Sequence, residues 1–161
     1  MGKMLKIICL DGFDYEWIEK VNYLKELKCV KAKVRCLPSI NLIPLILSLT
    51  QKVEFIHKKE IDEYAHHYPE KLEESIKRLD KKLRELVTGN CIIVSDHGNK
   101  KLSKTDFSIT GLTYGHDFFV TYGILFWITD KQEPKDLGEI SMVECERLIK
   151  KIVEYEDEED K

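Results

Sequence analysis

The sequence predicts an α/β protein, a three-layer α/β/α sandwich with a mainly parallel central sheet. Short apolar runs, typical of strands buried on both faces, alternate with amphipathic helical segments along the whole chain. Neither an internal repeat nor a low-complexity linker interrupts this alternation. The 161 residues suffice for one domain, which at this size buries about 68–70% of the surface of its unfolded chain.

The first part of the chain contains two predicted strands around one predicted helix. Residues Met4 to Leu10 form an apolar run with a single lysine, which predicts a buried strand that ends at Asp11-Gly12. The apolar residues between Phe13 and Leu27 are spaced as one helical face. The alternation from Cys29 to Leu37 predicts the second strand.

The middle of the chain contains a long predicted helix after two short elements. A proline-punctuated stretch leads to a short helix over Leu45 to Leu49, and Val53 to Ile56 is a candidate strand. Pro69 opens the long helix, and its buried stripe runs from Leu72 to Leu86.

The last part of the chain provides two further strands and a closing helix. Cys91 to Val94 predicts a buried strand that ends at Ser95-Asp96. Residues Phe118 to Thr129 are rich in β-branched and aromatic side chains, with an interruption expected at Gly123. The spacing from Ile140 to Val153 predicts an amphipathic helix.

The composition excludes several classes of protein. A hydrophobic content of 43% is too high for a disordered tract, a collagen-like repeat or a disulfide-dense mini-protein. No run of 18 apolar residues is present, so no membrane span is expected. The apolar run before Asp11 is too short for a secretory signal. Five cysteines without a CxxC pair indicate reduced thiols in a cytoplasmic protein.

The net charge of −3 is concentrated at the carboxyl end of the chain. Six of the residues 154–161 are acidic, which leaves 25 basic and 23 acidic residues in the rest. We therefore expect a domain over residues 1–153 and a solvated, frayed acidic tail over residues 154–161. The nearly neutral domain has no basic stripe, so no nucleic-acid-binding surface is predicted.

Polar residues follow two of the predicted buried strands. Asp11 comes directly after the first strand, and Asp96 and His97 come after the strand that starts at Cys91. Because ligands bind beyond the carboxyl ends of parallel strands, these side chains should lie together at one edge of the sheet. Two carboxylates and an imidazole would then be neighbours.

Most of the histidines also lie near acids or glycines. Asp62 and His66 are four residues apart and would share one side of a helical turn. A solvated pair is the plainer interpretation of His66 taken alone. Carboxylate oxygens together with imidazole nitrogens suit zinc, manganese or iron, whereas magnesium and calcium prefer oxygen alone. The combination of these pairs, rather than any one of them, favours a metal site.

The chain resembles the alkaline-phosphatase superfamily, particularly its nucleotide pyrophosphatase/phosphodiesterase branch and the related cofactor-independent phosphoglycerate mutases. The resemblance covers about Lys6 to Asp130. The segments that carry it are, in chain order, LDG, LPSINLIPLILSLT, IDEYAHH, RLDKKLRELV, CIIVSDHGN and YGHD.

The resemblance implies a two-metal-dependent hydrolase of phosphate mono- or diesters with a small phosphorylated substrate. Two divalent ions, zinc or manganese, would lie side by side. One ion would be bound by Asp11, Asp96 and His97, and the other by Asp62, His66 and His116. His67 is the alternative to His66, because the two histidines are adjacent in the chain.

The sequence departs from the family at the nucleophile. Relatives have a Thr or Ser in this segment, but the matching position here is Asn41, or Leu42 if the alignment follows Pro44. Asn cannot form a phospho-enzyme ester, and the nearest hydroxyl belongs to Ser39. Either Ser39 serves after a shift of the loop, or water replaces the hydroxyl and Asn41 orients the phosphoryl group. Asn41 or Ser39 could also simply cap a helix.

Two other interpretations remain open. The protein can be a metal-binding pseudo-enzyme or ligand-sensing domain that lost the family nucleophile. It can also be a generic α/β domain in which the Asp and His pairs are coincidental. At 161 residues the chain has no room for the inserted cap region of catalytic relatives, so a homo-oligomer could complete the pocket from a neighbouring chain.

Overall fold

A computed structural model of the chain describes residues 5–35, 42–48, 53–95, 97–101, 114–115 and 121–159. Its strands are β1 (Leu5–Leu10), β2 (Val30–Arg35), β3 (Val53–Lys58), β4 (Cys91–Ser95), β5 (Lys100–Lys101), β6 (Tyr114–Gly115), β7 (Tyr122–Ile128) and β8 (Lys135–Ser141). Its α-helices are α1 (Asn22–Glu26), α2 (Leu42–Ser48), α3 (Glu60–His67), α4 (Leu72–Leu86) and α5 (Met142–Glu159), with 3₁₀ helices at Tyr15–Lys20 and Pro69–Lys71.

Six of the described strands form one mixed sheet in the order β3-β1-β4-β7-β2-β8. Strand β1 lies between β3 and β4 and runs parallel to both. Strand β7 runs antiparallel to its neighbours β4 and β2, and β8 is parallel to β2. The prediction of an α/β protein with a mostly parallel sheet is therefore confirmed. The short strands β5 and β6 pair antiparallel outside this sheet.

Each face of the sheet carries its own hydrophobic cluster, because successive side chains of a strand point to opposite faces. From β1, Ile7 and Cys9 contribute to one cluster, which also contains buried residues of α2 and α5. Ile8 and Leu10 contribute to the other cluster, with buried residues of α1, α3 and α4. The continuous apolar run of β1 is thus explained by burial on both faces.

The single helix predicted over Phe13 to Leu27 is wrong. A 3₁₀ helix over Tyr15–Lys20 is followed by the short helix α1, and Val21 between them has an extended backbone. The Asp14 side chain caps the 3₁₀ helix by accepting a hydrogen bond from the Glu16 amide. Trp17, Val21 and Leu24 are all buried. The two short helices therefore bury the same apolar residues as a single helix would.

The half of the sheet that contains β7 and β8 was also only partly predicted. Strand β7 passes through Gly123, which pairs with Val34, so the interruption expected at Gly123 is wrong. Strand β8 was missed, because four of its seven residues are charged or glycine and the strand lies mostly exposed at the sheet edge. Helix α5 consequently begins at Met142 rather than at Ile140.

The prediction of a solvated, frayed acidic tail is wrong for the part that the structure describes. Helix α5 continues to Glu159, and the side chain of Glu156 is buried. Its carboxylate accepts hydrogen bonds from Trp127 Nε1 at 3.2 Å, Asn90 Nδ2 at 2.8 Å and Lys131 Nζ at 2.7 Å. The charge of the acidic run predicts that it is solvated, but the carboxylate of Glu156 accepts hydrogen bonds from three donors.

None of the helices in the described part of the chain combines the length and the apolar character that a membrane crossing requires.

Candidate metal centre

The ends of β1 and β4 bring the first two candidate ligands together. The two strands pair in parallel with Cys9 opposite Val94, so the residues that follow them lie at the same edge. The Asp11 carboxylate oxygen Oδ1 lies 3.1 Å from His97 Nε2. The structure thus makes neighbours of Asp11 and His97, 86 residues apart, as the strand ends predicted.

Helix α3 contributes the second pair. Asp62 and His66 are one turn apart, with His66 Nε2 3.3 Å from Asp62 Oδ1. The His67 side chain is exposed to solvent, and its ring centroid lies 6.3 Å from that of His66. His66, rather than His67, is therefore the histidine that meets Asp62.

Of the second pair, Asp62 meets Asp11 and His97, whereas His66 contacts Asp62 but lies outside this group of three. One ligand atom each from Asp11, Asp62 and His97 lies within 4.8 Å of the other two. The family resemblance implied a different ion for Asp62 than for Asp11 and His97. A separation of this size fits both a single shared ion and two adjacent ions, which in two-metal sites are about 3.5–4 Å apart.

The turn after β1 allows this approach because residue 12 is a glycine. Gly12 has a φ of 75°, a conformation that other residues adopt at a cost. A Cβ atom at this position would overlap Asp62 Oδ1. The missing side chain therefore lets the carboxylate of α3 lie directly against the end of β1.

Asn99 fixes Asp62 from a position that the sequence analysis did not single out. Its Nδ2 donates to Asp62 Oδ1 at 3.1 Å and to the Gly12 carbonyl at 2.9 Å. The side chain is only 2% exposed, and its Oδ1 has no hydrogen-bond partner among the described residues. The sequence signal for Asn99 as a site residue was its position two residues after His97.

His57 is a second residue that the sequence analysis missed. It lies near the end of β3, where it pairs with Cys9 of β1, and its Nε2 lies 3.7 Å from Asp11 Oδ2. The signal was a histidine near the end of a strand candidate, which predicts an imidazole at the same edge of the sheet. The predicted strand ended at Ile56, one residue too early to include it.

The loop that carries His97 is also held close to Asp14. A Cβ atom on Gly98 would overlap Asp14 Oδ1, so only glycine fits at this approach. Burial raises the pKa of Asp14 to about 6, against a usual value of 3.8, although the hydrogen bond from the Glu16 amide opposes this shift. Lys33 Nζ lies nearby, 4.1 Å from the centroid of the Tyr122 ring.

Four of the sequence-predicted site residues lie outside the described residues, namely Ser39, Asn41, Asp96 and His116. Described chain neighbours of two of them belong to the site region. Ser95 and His97 flank Asp96, and Gly115, which precedes His116, pairs with Lys100 in the ladder of β5 and β6. Strand β6 also contacts α3, the helix that carries Asp62 and His66.

The donor set has the chemistry of a transition-metal site. Asp11 and Asp62 supply carboxylate oxygens and His97 supplies an imidazole nitrogen, the mixture that suits zinc, manganese or iron. His66 adds a second imidazole beside Asp62. The side chains of Asp11 and His97 are 27% and 14% exposed, so an ion or a small anion can reach them from solvent. The residues present therefore fit a divalent cation.

Neither a family model nor a curated protein matches this chain.

Proposed function

We propose that the protein is a metal-dependent hydrolase of phosphate mono- or diesters, with two divalent ions of zinc or manganese at the carboxyl edge of its sheet. The convergence of Asp11, Asp62 and His97 within 4.8 Å is the observation that carries this proposal. The order of motifs along the chain supports the reaction class, because the same order occurs in the alkaline-phosphatase superfamily.

The described residues would act by holding charge in fixed positions. Asp11 and Asp62 provide the negative charge that attracts a cation, and Asn99 prevents Asp62 from turning away by donating to its Oδ1. Divalent ions in such sites neutralise charge on phosphoryl oxygens and lower the pKa of the attacking group. Asp96 and His116 complete the proposed donor set.

The proposed nucleophile region is the segment with Ser39 and Asn41. Asn41 would donate a hydrogen bond to the phosphoryl group while water attacks, or Ser39 would attack directly. A second candidate function is a metal-binding pseudo-enzyme that senses a phosphorylated ligand. The sequence observation that favours it is Asn41 at the position where relatives have a hydroxyl.

Three further features belong to the proposal. The two hydrophobic clusters on opposite faces of the sheet support a three-layer sandwich. The buried cysteines Cys9, Cys29, Cys91 and Cys145 support a reducing, cytoplasmic location. The substrate is a small phosphorylated molecule, and a homo-oligomer would complete its pocket.

Metal content and hydrolysis test the proposal together. Metal-free protein is incubated with zinc or manganese, desalted and analysed for bound metal, and then screened with phosphate mono- and diesters. We expect about two ions per chain and hydrolysis of at least one ester class, with both reduced by Asp62→Asn. Glu63→Gln changes an exposed neighbour on the same helix and should match the wild type. Metal binding unaffected by Asp62→Asn would contradict the proposed site.

Variants of Asn41 separate the two candidate functions. In a hydrolase that uses water, Asn41→Ala should lower turnover about 10²–10³-fold, the scale for one preorganised donor. If Ser39 is the nucleophile, Ser39→Ala should abolish turnover and Asn41→Ala should be milder. Metal-loaded wild type without activity, together with activity gained by Asn41→Thr, would identify a pseudo-enzyme.

A further inference from the structure

The imidazole of His57 has a buried nitrogen that no described residue satisfies. Its Nε2 atom is inaccessible to solvent and has no hydrogen-bond partner among the residues that the structure describes. The ring stacks on Phe55, with centroids 5.7 Å apart and planes 17° from parallel. Stacking fixes the plane of the ring, and the register with Cys9 fixes its height along β3 beside the end of β1. Stacking and strand register together therefore fix the position of Nε2.

The atom that His57 faces is the second oxygen of Asp11. Asp11 Oδ1 lies 3.1 Å from His97 Nε2, and Asp11 Oδ2 lies 3.7 Å from His57 Nε2. A separation of 3.7 Å is too long for a hydrogen bond. It is close to the spacing of two ligands on one ion, since donors about 2.1 Å from a tetrahedral centre lie roughly 3.4 Å apart. One carboxylate thus lies between two imidazoles, with one oxygen directed to each.

We propose that His57 Nε2 is a metal ligand and that Asp11 is a bridging carboxylate. Oδ1 of Asp11 would bind one ion together with His97, and Oδ2 would bind the adjacent ion together with His57. This inference rests on the proposed metal-dependent function, and it adds a ligand on β3 to those expected from the sequence. A bridging carboxylate offsets the repulsion between two neighbouring divalent ions, which is the requirement that a paired site imposes on its ligands.

The competing interpretation is an ordinary charge pair in which protonated His57 stabilises Asp11. The two roles predict different results. A charge pair would contribute to the stability of metal-free protein and would compete with metal for the carboxylate, so its removal would leave metal binding unchanged or stronger. A ligand would contribute to metal binding, and its removal would weaken or abolish one of the bound ions.

Cobalt titration of the full chain tests this role without reference to catalysis. Co²⁺ is added to metal-free protein, and its stoichiometry and affinity are measured by calorimetry and by the visible absorption of the bound ion. His57→Phe keeps a ring for stacking on Phe55 and removes both nitrogens. His67→Gln is the matched control, because it removes an exposed imidazole from the adjacent helix α3.

We expect His57→Phe to lose one bound Co²⁺ or to bind it at least tenfold more weakly, with an altered absorption spectrum. His67→Gln should match the wild type. His57→Gln serves as a second variant if His57→Phe does not fold, as judged by circular dichroism of the metal-free protein.

Two outcomes would overturn the inference, and they are distinguishable from each other. Wild-type protein that binds Co²⁺, together with His57 variants of the same stoichiometry, spectrum and affinity within twofold, would exclude His57 as a ligand and leave the proposed function intact. Wild-type protein that binds no Co²⁺, Zn²⁺ or Mn²⁺ would remove both the metal site and the role of His57.

Discussion

At the scale of single residues, Asn99 links the two parts of the candidate site. Its amide group donates to the carbonyl of Gly12 and to the carboxylate of Asp62, so it ties the end of β1 to helix α3. Residues that orient metal ligands through hydrogen bonds contribute about 10–100-fold to metal affinity. The contribution of Asn99 can therefore be measured without changing any donor atom of the site.

We expect Asn99→Ala to weaken binding of zinc or manganese by about 10–100-fold, because Asp62 then loses the amide donor that orients its Oδ1. Calorimetric titration of metal-free protein measures the change. Asn22→Ala, an exposed asparagine in α1, is the control and should bind metal like the wild type. Equal affinity in the two variants would show that Asp62 is oriented by other contacts.

The raised pKa of Asp14 predicts how the stability of the protein changes with pH. Burial raises its pKa in the folded protein to about 6, above the usual 3.8. Between about pH 4 and pH 6 the folded state therefore binds more protons at Asp14 than the unfolded state, and this group makes stability fall as pH rises. Asn at this position cannot ionise but keeps an oxygen to accept the hydrogen bond from the Glu16 amide.

We expect Asp14→Asn to gain stability relative to the wild type as pH rises from 4 to 7. Urea unfolding at several pH values measures the difference in free energy of unfolding between the two proteins. The difference should increase through pH 4–6 and become constant above about pH 7. A difference that is constant with pH would mean that Asp14 ionises normally in the folded state.

At the scale of elements, the turn between β1 and the 3₁₀ helix can be compared with the part of β8 around Gly138, where the register with β2 shifts. Gly12 has a φ of 75° and Gly138 a φ of 72°, so alanine at either position is strained. Space around the two differs: a Cβ on Gly12 would meet Asp62, whereas a Cβ on Gly138 would meet no atom within 4 Å. The pair thus separates backbone strain from the approach of the carboxylate.

We expect Gly138→Ala to lower the free energy of unfolding by about 1–2 kcal/mol, the penalty of a left-handed backbone for a residue with a Cβ. Gly12→Ala should cost more and should also weaken metal binding, because Asp62 has to move. Denaturant unfolding and metal titration of both variants provide the comparison. Unchanged metal affinity in Gly12→Ala would contradict the close packing at this turn.

Glu156 connects the carboxyl end of helix α5 to the rest of the protein through hydrogen bonds. Hydrogen bonds to a charged group contribute about 1.5–3 kcal/mol each when buried, and the donors from Trp127 and Asn90 would lose their partner in Glu156→Ala. We expect this variant to lose about 2–3 kcal/mol of stability. The exposed control Glu154→Ala should stay within about 0.5 kcal/mol of the wild type.

Truncation provides an independent measurement on the same helix. A chain that ends at Tyr155 lacks Glu156 and should lose as much stability as Glu156→Ala. A chain that ends at Glu156 should lose less. Equal stability of both truncated chains and the wild type in thermal unfolding would mean that the carboxylate contributes nothing.

At the scale of the whole molecule, the cysteines report on the integrity of both hydrophobic clusters. Cys9 and Cys145 are buried in one cluster, and Cys29 and Cys91 in the other. Burial raises the pKa of Cys29 to about 11 and that of Cys91 to about 12. Thiols with such pKa values form almost no thiolate at neutral pH, and the thiolate is the reactive form.

We expect a Cys36→Ser variant to show no reaction with a thiol reagent such as dithionitrobenzoate while folded, and four reactive thiols in urea. The fifth cysteine is replaced because it lies outside the described residues. Rapid reaction of any of the remaining four at neutral pH, without urea, would show that one of the clusters opens under native conditions.

The sequence by itself determined the α/β class with a mostly parallel sheet, the two buried strands β1 and β4, and the stripe of helix α4. Each of these follows from a local pattern, either a continuous apolar run or a helical spacing of apolar residues. The meeting of Asp11 and His97 was also predictable, because the carboxyl ends of parallel strands lie at one edge.

Only the tertiary structure decided which residues surround that edge. His57 faces Asp11 because β3 is paired with β1 in one register, and Asn99 reaches Gly12 from 87 positions along the chain. Glu156 is buried because donors from β7, the loop after it and the turn before β4 converge on it. The strand register and helix docking that create these contacts depend on packing between distant segments, and local periodicity carries no record of that packing.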